Sequence, residues 1–449
     1  MIANELTTIA TLLVFVGVIL VIAFNWLDMV ITALIGVCLL TTLGIVTHET
    51  IINSVKAADG ALSLLFGGMV VARTLTPTGI FEYVGTRFLL LTKGSGKRYL
   101  LGIVILVVPL CAILPNATTV ILLAPIIIRS AKALDVDFVK PMILTAILSN
   151  SAGLLTLIRD PATFLIGSSI GLTFTGYLQR VTLGGLISIL IIIPLLPWLM
   201  NDIWTARRLL AADLAPQPIE RPGLCMLSLG VLVVMISLFL FGEHLPINII
   251  PPAAAIMGAT LALLVIYRMK VEPIEQVLRD VDWKTIIFLF CMFCLVETVI
   301  KTGVLQSLSL GMHDWFGDNL LLAGLFLLIT IGLISGLLAN IPVAVAMLFM
   351  TKSYLVVAEF VPEEALGLTF TDWPPTLLPV FIAMMFGATL GGNATLIGAS
   401  ANVVAAGICE ANGKQLRFMQ FLRYGAPIAV CQLLLSAVYV YGYYLVSGR

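Results

Sequence analysis

The chain has 449 residues, 60% of them hydrophobic and 11% charged, with a mean hydropathy of +1.12. Soluble domains carry about a quarter charged residues, so this composition excludes an ordinary soluble protein and points to a polytopic membrane protein. The formal net charge is zero and no basic run occurs, so a nucleic-acid partner is not expected.

Apolar runs of the ~20 residues needed to cross a bilayer as a helix recur along the chain. Spans are predicted at 6–24 and 29–47, then at 61–86, where the helix should end near Thr78-Gly79 and continue along the interface. Met1 to Leu6 has no basic n-region, so the first span reads as retained rather than as a cleaved signal. Residues 99–133 are apolar but interrupted at Leu114-Pro115-Asn116, 140–174 is a broken span, and 183–200 is uniform. The segment 201–222, with Arg207, Arg208, Pro216, Pro218 and Pro222, is the best linker. The pattern then restarts. Spans are predicted at 223–241, 248–267 and 285–310, followed by an interrupted region at 320–352, a broken span at 375–409 and a last span at 425–446.

This restart is an internal repeat, 1–200 against 223–449. Thr78-Gly79 matches Thr302-Gly303, and Asn116 matches Asn340, at a common offset of 224; Thr156-Leu157-Ile158 matches Thr395-Leu396-Ile397 at 239. The extra length falls between Tyr354 and Leu377, an acidic, proline-bearing loop. Cytoplasmic loops are enriched in Lys and Arg. Arg87, Lys93, Lys97 and Arg98 before residues 99–133, and Arg129, Lys132 and Lys140 at their end, put both flanks inside. That makes 99–133 a re-entrant hairpin. Its mate, 320–352, has acidic flanks with Lys352 as their one basic residue, so it should open from outside. The predicted fold is all-α: two inverted repeats of five transmembrane helices plus one re-entrant hairpin each, ten spans in the cell membrane, both termini outside. Inverted repeats with broken helices at the midplane are a secondary-transporter architecture.

The stretch Gly387–Gly407 and its weaker copy Ser149–Gly167 crowd Gly, Asn, Thr and Ser where a span should be uniform. Unwound backbone in a membrane is tolerated where protein or a cavity satisfies it, so both are site candidates. At the hairpin tips, Asn116 and Asn340 should cap the returning arms, with Thr118 beside the first. Half-helix N-termini favour an anion, whereas side-chain oxygens and unwound carbonyls favour a cation such as Na⁺. The candidate substrate-binding residues are Asn116, Thr118, Thr156, Arg159, Asn340, Asn393, Thr395, Ser400 and Asn402. Asp160, Asn116, Asn340 and Thr163 are the ion-coupling candidates. Asp160 with Pro161 is a good helix start. Arg159, a charge near the bilayer centre, closes the break, contacts an anionic substrate or replaces a coupling cation. Arg73 and Glu297, each about a turn from a helix end, should snorkel.

The seven cysteines read as ordinary buried thiols, and His48, His244 and His313 all fall in predicted loops. No metal set, catalytic cluster or GxxxxGK[ST] loop is present, so neither an enzyme nor ATP driving is expected. No cofactor is expected beyond a bound Na⁺, should Na⁺ be the coupling ion.

The stretches LLFGGMVVARTLTPTGIFEYV, NATTVILLAPIIIR, SNSAGLLTLIRDPATFLIGSS and GGNATLIGASANVVAAG resemble the ion transporter superfamily. The similarity is to its ArsB/NhaD branch, which holds arsenite permeases, NhaD-type antiporters, the pigmentation P protein and silicon exporters; divalent anion/sodium symporters are more distant. The resemblance implies an elevator-type secondary carrier, usually a homodimer, with substrate between hairpin tips and helix breaks. Relatives of the antiporter kind have Asp-Asn at the tips and Gly-Asp-Pro-Pro-Asn at the first break. Here Pro115 and Ala339 replace the acids, and the break reads Arg159-Asp160-Pro161-Ala162-Thr163. The expectation is transport of a small inorganic or carboxylate anion, or a metalloid oxyacid, coupled to Na⁺ or H⁺. The alternatives are Na⁺/H⁺ antiport through Asp160 and an uncoupled anion channel.

Overall fold

A computed structural model describes the chain apart from residues 1, 24–25, 112–115, 158–159, 209–217, 243–244, 248, 302–311, 339, 368–369, 371 and 448–449. Arg159, Pro115, Ala339 and the Thr302-Gly303 landmark therefore lie outside the described residues. The helices in the first part of the chain are α1 (Ile2–Ala23), α2 (Met29–Thr42), α3 (His48–Leu75), α4 (Ile80–Thr92), α5 (Gly96–Cys111), α6 (Asn116–Ala133), α7 (Val139–Ser151), α8 (Pro161–Ser169) and α9 (Phe174–Leu199). Then come α10 (Pro222–Phe241), α11 (Pro251–Arg268), α12 (Ile274–Arg279), α13 (Trp283–Lys301), α14 (Leu320–Leu337), α15 (Asn340–Val357), α16 (Leu378–Gly391), α17 (Ser400–Ala411) and α18 (Phe418–Ser447). No strand occurs among the described residues, and the protein is an all-α polytopic membrane protein. Five described helices (α9, α10, α11, α14 and α18) are long and apolar enough to cross a membrane unaided; the pair α3–α4, bent by 69°, makes a sixth.

Local chemistry sets several of these ends. Asp28 caps α2 by accepting from the Val30 amide at 2.9 Å, and Lys284 donates to its other oxygen at 3.1 Å. These contacts, the lysine first, hold the Asp28 carboxyl below the usual range. The predicted start of the third span at 61 is too late. Thr47 and Thr50 form a capping box, which starts α3 at His48 and carries the polar stretch 48–60 as helix. The expected bend follows at Gly79, whose φ of 76° is costly for any side-chain-bearing residue.

Other boundaries also move. The helix predicted at 183–200 begins at Phe174 and contains a π turn over Leu178–Thr182. The last helix begins at Phe418 rather than 425, and the second span ends at Thr42 rather than 47. The returning arm of the second interrupted region runs to Val357, so Lys352 is not a loop flank. It is fully buried within α15, donating to Gly367 O at 3.1 Å beside Phe349 and Trp373. His48 and His313 sit in helical segments, not loops, and Cys38 is exposed rather than buried. Arg73 does not simply snorkel: it pairs with Glu272 at 3.0 Å and Asp280 at 2.6 Å.

Two groups of helices emerge from the packing. One gathers α1, α2, α3, α10, α11 and α13; the other gathers α5 to α9 and α14 to α18. Inside the second group the contacts come in matching pairs. First arms pack on first half-helices of the breaks (α5 on α7, α14 on α16), and returning arms pack on the opposite copy's second half-helix (α6 on α17, α15 on α8). Two apolar cores result, one around the first group with α8 and α14 to α16, the other around α5 to α7 and α9 with parts of α17 and α18. The helix breaks lie where these cores meet.

Candidate functional site

Both breaks are built from residues that give up helical hydrogen bonds and replace them. After α7, Ala152–Leu155 tightens to a 3₁₀ turn, and Thr156 is extended (φ −139°, ψ 144°). The chain re-enters a helix at Pro161, whose missing N–H costs nothing there, with Asp160 capping by accepting from the Thr163 amide at 3.4 Å. After α16 the chain turns through Gly392–Ala399 into α17. Asn402 reaches back to close this turn, donating to Gly392 O at 2.9 Å and Thr395 O at 2.8 Å.

A buried network ties the breaks together. Asn150, fully buried on α7, donates to Thr389 O at 2.7 Å and to Asn393 Oδ1 at 3.0 Å, while its own Oδ1 accepts from Asn116 Nδ2 at 3.3 Å. Asn393 spends both amide hydrogens, on Ser151 Oγ and on Gln432 Oε1, each at 2.8 Å. Gln432 on α18 donates in turn to Ser151 Oγ and Ser188 O, each at 2.9 Å. Asp160, 1% exposed, accepts from Thr389 Oγ1 at 3.0 Å and from Asn340 Nδ2 at 3.4 Å. One network thus joins the returning-arm starts, both breaks and the last helix. In an interior of low dielectric, leaving any member of it unpaired costs about 1–3 kcal/mol.

The structure brings Asn116, Asn340, Asn393, Asp160 and Thr163 together. Thr395 lies beside them, its hydroxyl donating to Gly336 O on α14. Thr156 occupies the extended part of the first break, Thr118 is half-buried on α6, and Ser400 is exposed at the start of α17. Arg159 lies outside the described residues. Asn116 does not cap as expected: it is already the first residue of α6, its amide group is turned to Asn150, and its Oδ1 accepts no hydrogen bond from the described residues. Asn393 is a buckle between helices rather than an open ligand, since its hydrogens are taken.

Asn150, Ser151, Thr389 and Gln432 carry the network without having been singled out from sequence. A signal existed: Asn150 and Thr389 are 239 residues apart, the offset that aligns the two breaks.

Two features bear on chemistry. The Oδ1 atoms of Asn116 and Asn402 are buried acceptors with no hydrogen-bond donor among the described residues, and amide oxygens are the kind of group that ligates a hard cation. The N-termini of the two second half-helices also differ. Asp160 closes that of α8, whereas no side chain caps α17 at Ala399. An uncapped helix start offers free N–H groups and positive dipole to an anion.

A family described as "CitMHS: Citrate transporter" matches residues 19–371. The chain belongs to this family. It is 42% identical to an uncharacterized transporter of Synechocystis over 98% of both chains, and 31% identical to one of Mycobacterium tuberculosis over 98% of this chain and all of that one. The human P protein, 26% identical, matches over 98% of this chain and 60% of its own length. In fold the chain resembles the YdaH transporter of Alcanivorax borkumensis, with a TM-score of 0.57 over 86% of each chain at 12% identity. The family and its Synechocystis and Mycobacterium relatives are described as transporters, and this protein is a transporter rather than an enzyme.

Proposed function

We propose that the protein is an elevator-type secondary carrier moving a small inorganic or carboxylate anion, or a metalloid oxyacid, with Na⁺ or H⁺ as coupling ion. The observation that carries this reading is the asymmetry of the paired breaks. Around one buried network, the copy that ends at α8 supplies a carboxylate, while the copy that ends at α17 supplies an uncapped helix start. The α17 N-terminus, with Ser400 and Thr395, would hold the anion, and Arg159 would add a cation from the first break. The donor-free oxygens of Asn116 and Asn402 favour Na⁺ among the two coupling ions. The family's description as citrate transporters supports a carboxylate.

We also propose inverted repeats with ten spans and both termini outside as the topology; the matched packing of the two copies supports the repeat. The elevator reading draws on where the ion pairs lie. Arg73–Glu272, Arg73–Asp280 and Lys284–Asp28 stay within the first helix group; Lys140–Asp202, Arg208–Asp135 and Lys414–Asp137 stay within the second. Each group is knitted by charge, and the faces between them (α3 with α8, α13 with α15, α9 with α10) are largely apolar and free to slide. We also propose a homodimer. Na⁺/H⁺ antiport is the second reading, favoured by the full burial of Asp160 beside Asn340.

A thermal-shift screen of the purified protein tests the substrate class, because a ligand stabilises the state it binds. Citrate, sulfate and arsenite are compared with and without Na⁺. A rise in Tm with one anion, larger when Na⁺ is present, is the expected outcome. A rise with Na⁺ alone and none with any anion would favour antiport.

A further inference from the structure

The cytoplasmic end of the second helix group carries a feature that the transport site does not use. A cleft of about 500 Å³ lies between α6 and α17, lined by Ile121, Ala124, Pro125, Ile128, Arg129 and Lys132 on one wall and Ile408 and Asn412 on the other. The α6 residues form a helical stripe. Ile121, Pro125, Ile128, Arg129 and Lys132 follow the three- and four-residue steps that keep side chains on one face. At ~1.5 Å per residue, the stripe is apolar for roughly 10 Å from Ile121 and turns cationic over the last turn. Arg129 and Lys132 are exposed, and among the described residues neither makes an ion pair; the nearby acids Asp135 and Asp137 are engaged by Arg208 and Lys414.

We propose that this cleft is a binding site for one anionic phospholipid, with its acyl chain on the Ile121–Ile128 stripe and Ile408, and its phosphate between Arg129 and Lys132. An unattached small anion would need the two cations but not the apolar floor. A neutral lipid would need the floor but not the cations. An anionic amphiphile uses both, and the abundant anionic amphiphiles of the cytoplasmic leaflet are phospholipids. Depth agrees as well, because the positive-inside rule places Arg129 and Lys132 at the cytoplasmic face, where anionic headgroups attract such clusters. The site has a consequence for the carrier. The walls are α6, which begins at Asn116, and α17, which begins at Ser400 and contains Asn402, so a lipid in the cleft clasps at their far ends the two elements that meet the network at their near ends.

Native mass spectrometry of the whole protein, extracted in mild detergent and titrated with phosphatidylglycerol, tests the assignment. One lipid should bind to the unaltered protein, and the R129Q/K132Q double variant should bind it about 25-fold more weakly, roughly fivefold for each cation removed. A control pair, R268Q/K270Q, removes two basic residues elsewhere on the same face and should leave binding unchanged. Equal weakening in both pairs would show general surface attraction and overturn the site, as would unchanged binding in R129Q/K132Q. Displacement of the lipid by glycerol 3-phosphate at matched concentration would equally overturn it, since the headgroup alone would then suffice. All four substituted residues are exposed, and a thermal melt confirms that each variant is folded.

Discussion

The oxygens of Asp160 cap α8 and accept from Thr389 and Asn340. In the proposed mechanism it also supplies the negative charge of the site, and one substitution separates the two roles. Asn is as good an N-cap as Asp but carries no charge. Asp160→Asn should therefore leave the protein folded, with Tm changed by a few degrees at most, while ion-dependent transport is lost. A variant that kept its full dependence on Na⁺ or H⁺ would remove Asp160 from coupling. At the other break the logic reverses. Ser400 is exposed at the uncapped start of α17, so Ser400→Asp places an acid where the helix dipole welcomes it, worth about 0.3–1 kcal/mol. The same charge repels an incoming anion. Stability should rise slightly while the apparent KM for the anion rises at least ~10-fold, the effect of ~1.4 kcal/mol of lost binding. Uptake kinetics beside a thermal melt read both, and an unchanged KM would place the anion elsewhere. Asp28 gives the clearest pH statement outside the spans. Its carboxyl is lowered by Lys284 and the Val30 amide, so its contribution is present above the ordinary carboxylate pKa and fades as pH falls through the lowered value.

Helix by helix, α14 and α16 show why part of the site was legible in the sequence and part was not. The interruptions at 156–160 and 392–399 announce themselves, because Pro161, Gly392 and Gly398 with clustered Asn and Thr are poor helix interior. Gly387 and Gly391 belong to a different cause. They lie within α16, and a side chain at Gly391 would put its Cβ 2.2 Å from Gly332 O on α14. These glycines permit close packing rather than breaking a helix, a distinction that needs the partner helix to be seen. Gly391→Ala should accordingly force α14 and α16 apart, with a destabilisation of about 1–3 kcal/mol visible as a lower Tm. A melt indistinguishable from that of the unaltered protein would mean the helices are not so close. Asn150 and Gln432 were missed for a related reason. A lone polar residue in an apolar run signals that a partner exists but not which one, and here the partners include residues 243 and 281 positions away. The span boundaries moved where capping boxes and turns overrode hydropathy, as at Thr47.

At the scale of the whole molecule, the two helix groups divide the work. The group containing α1 to α3 and α10 to α13 holds itself together through Arg73 with Glu272 and Asp280, and through Lys284 with Asp28. The other group carries both breaks, both interrupted regions and the network. Buried polar networks that are nearly complete rigidify what they join. In the proposed carrier the second group moves as one body, and Asn116 Oδ1 and Asn402 Oδ1, which accept from no donor among the described residues, would hold a ligand. In the proposed mechanism this body carries an anion uphill at the expense of an ion gradient. The most direct test is uptake of radiolabelled citrate, sulfate or arsenite into proteoliposomes under an imposed inward gradient of Na⁺, and separately of H⁺. At least one anion should accumulate above its external concentration while one of these gradients lasts and run back down when the gradient is collapsed. Equilibration that never exceeds the external concentration and ignores both gradients would contradict this mechanism.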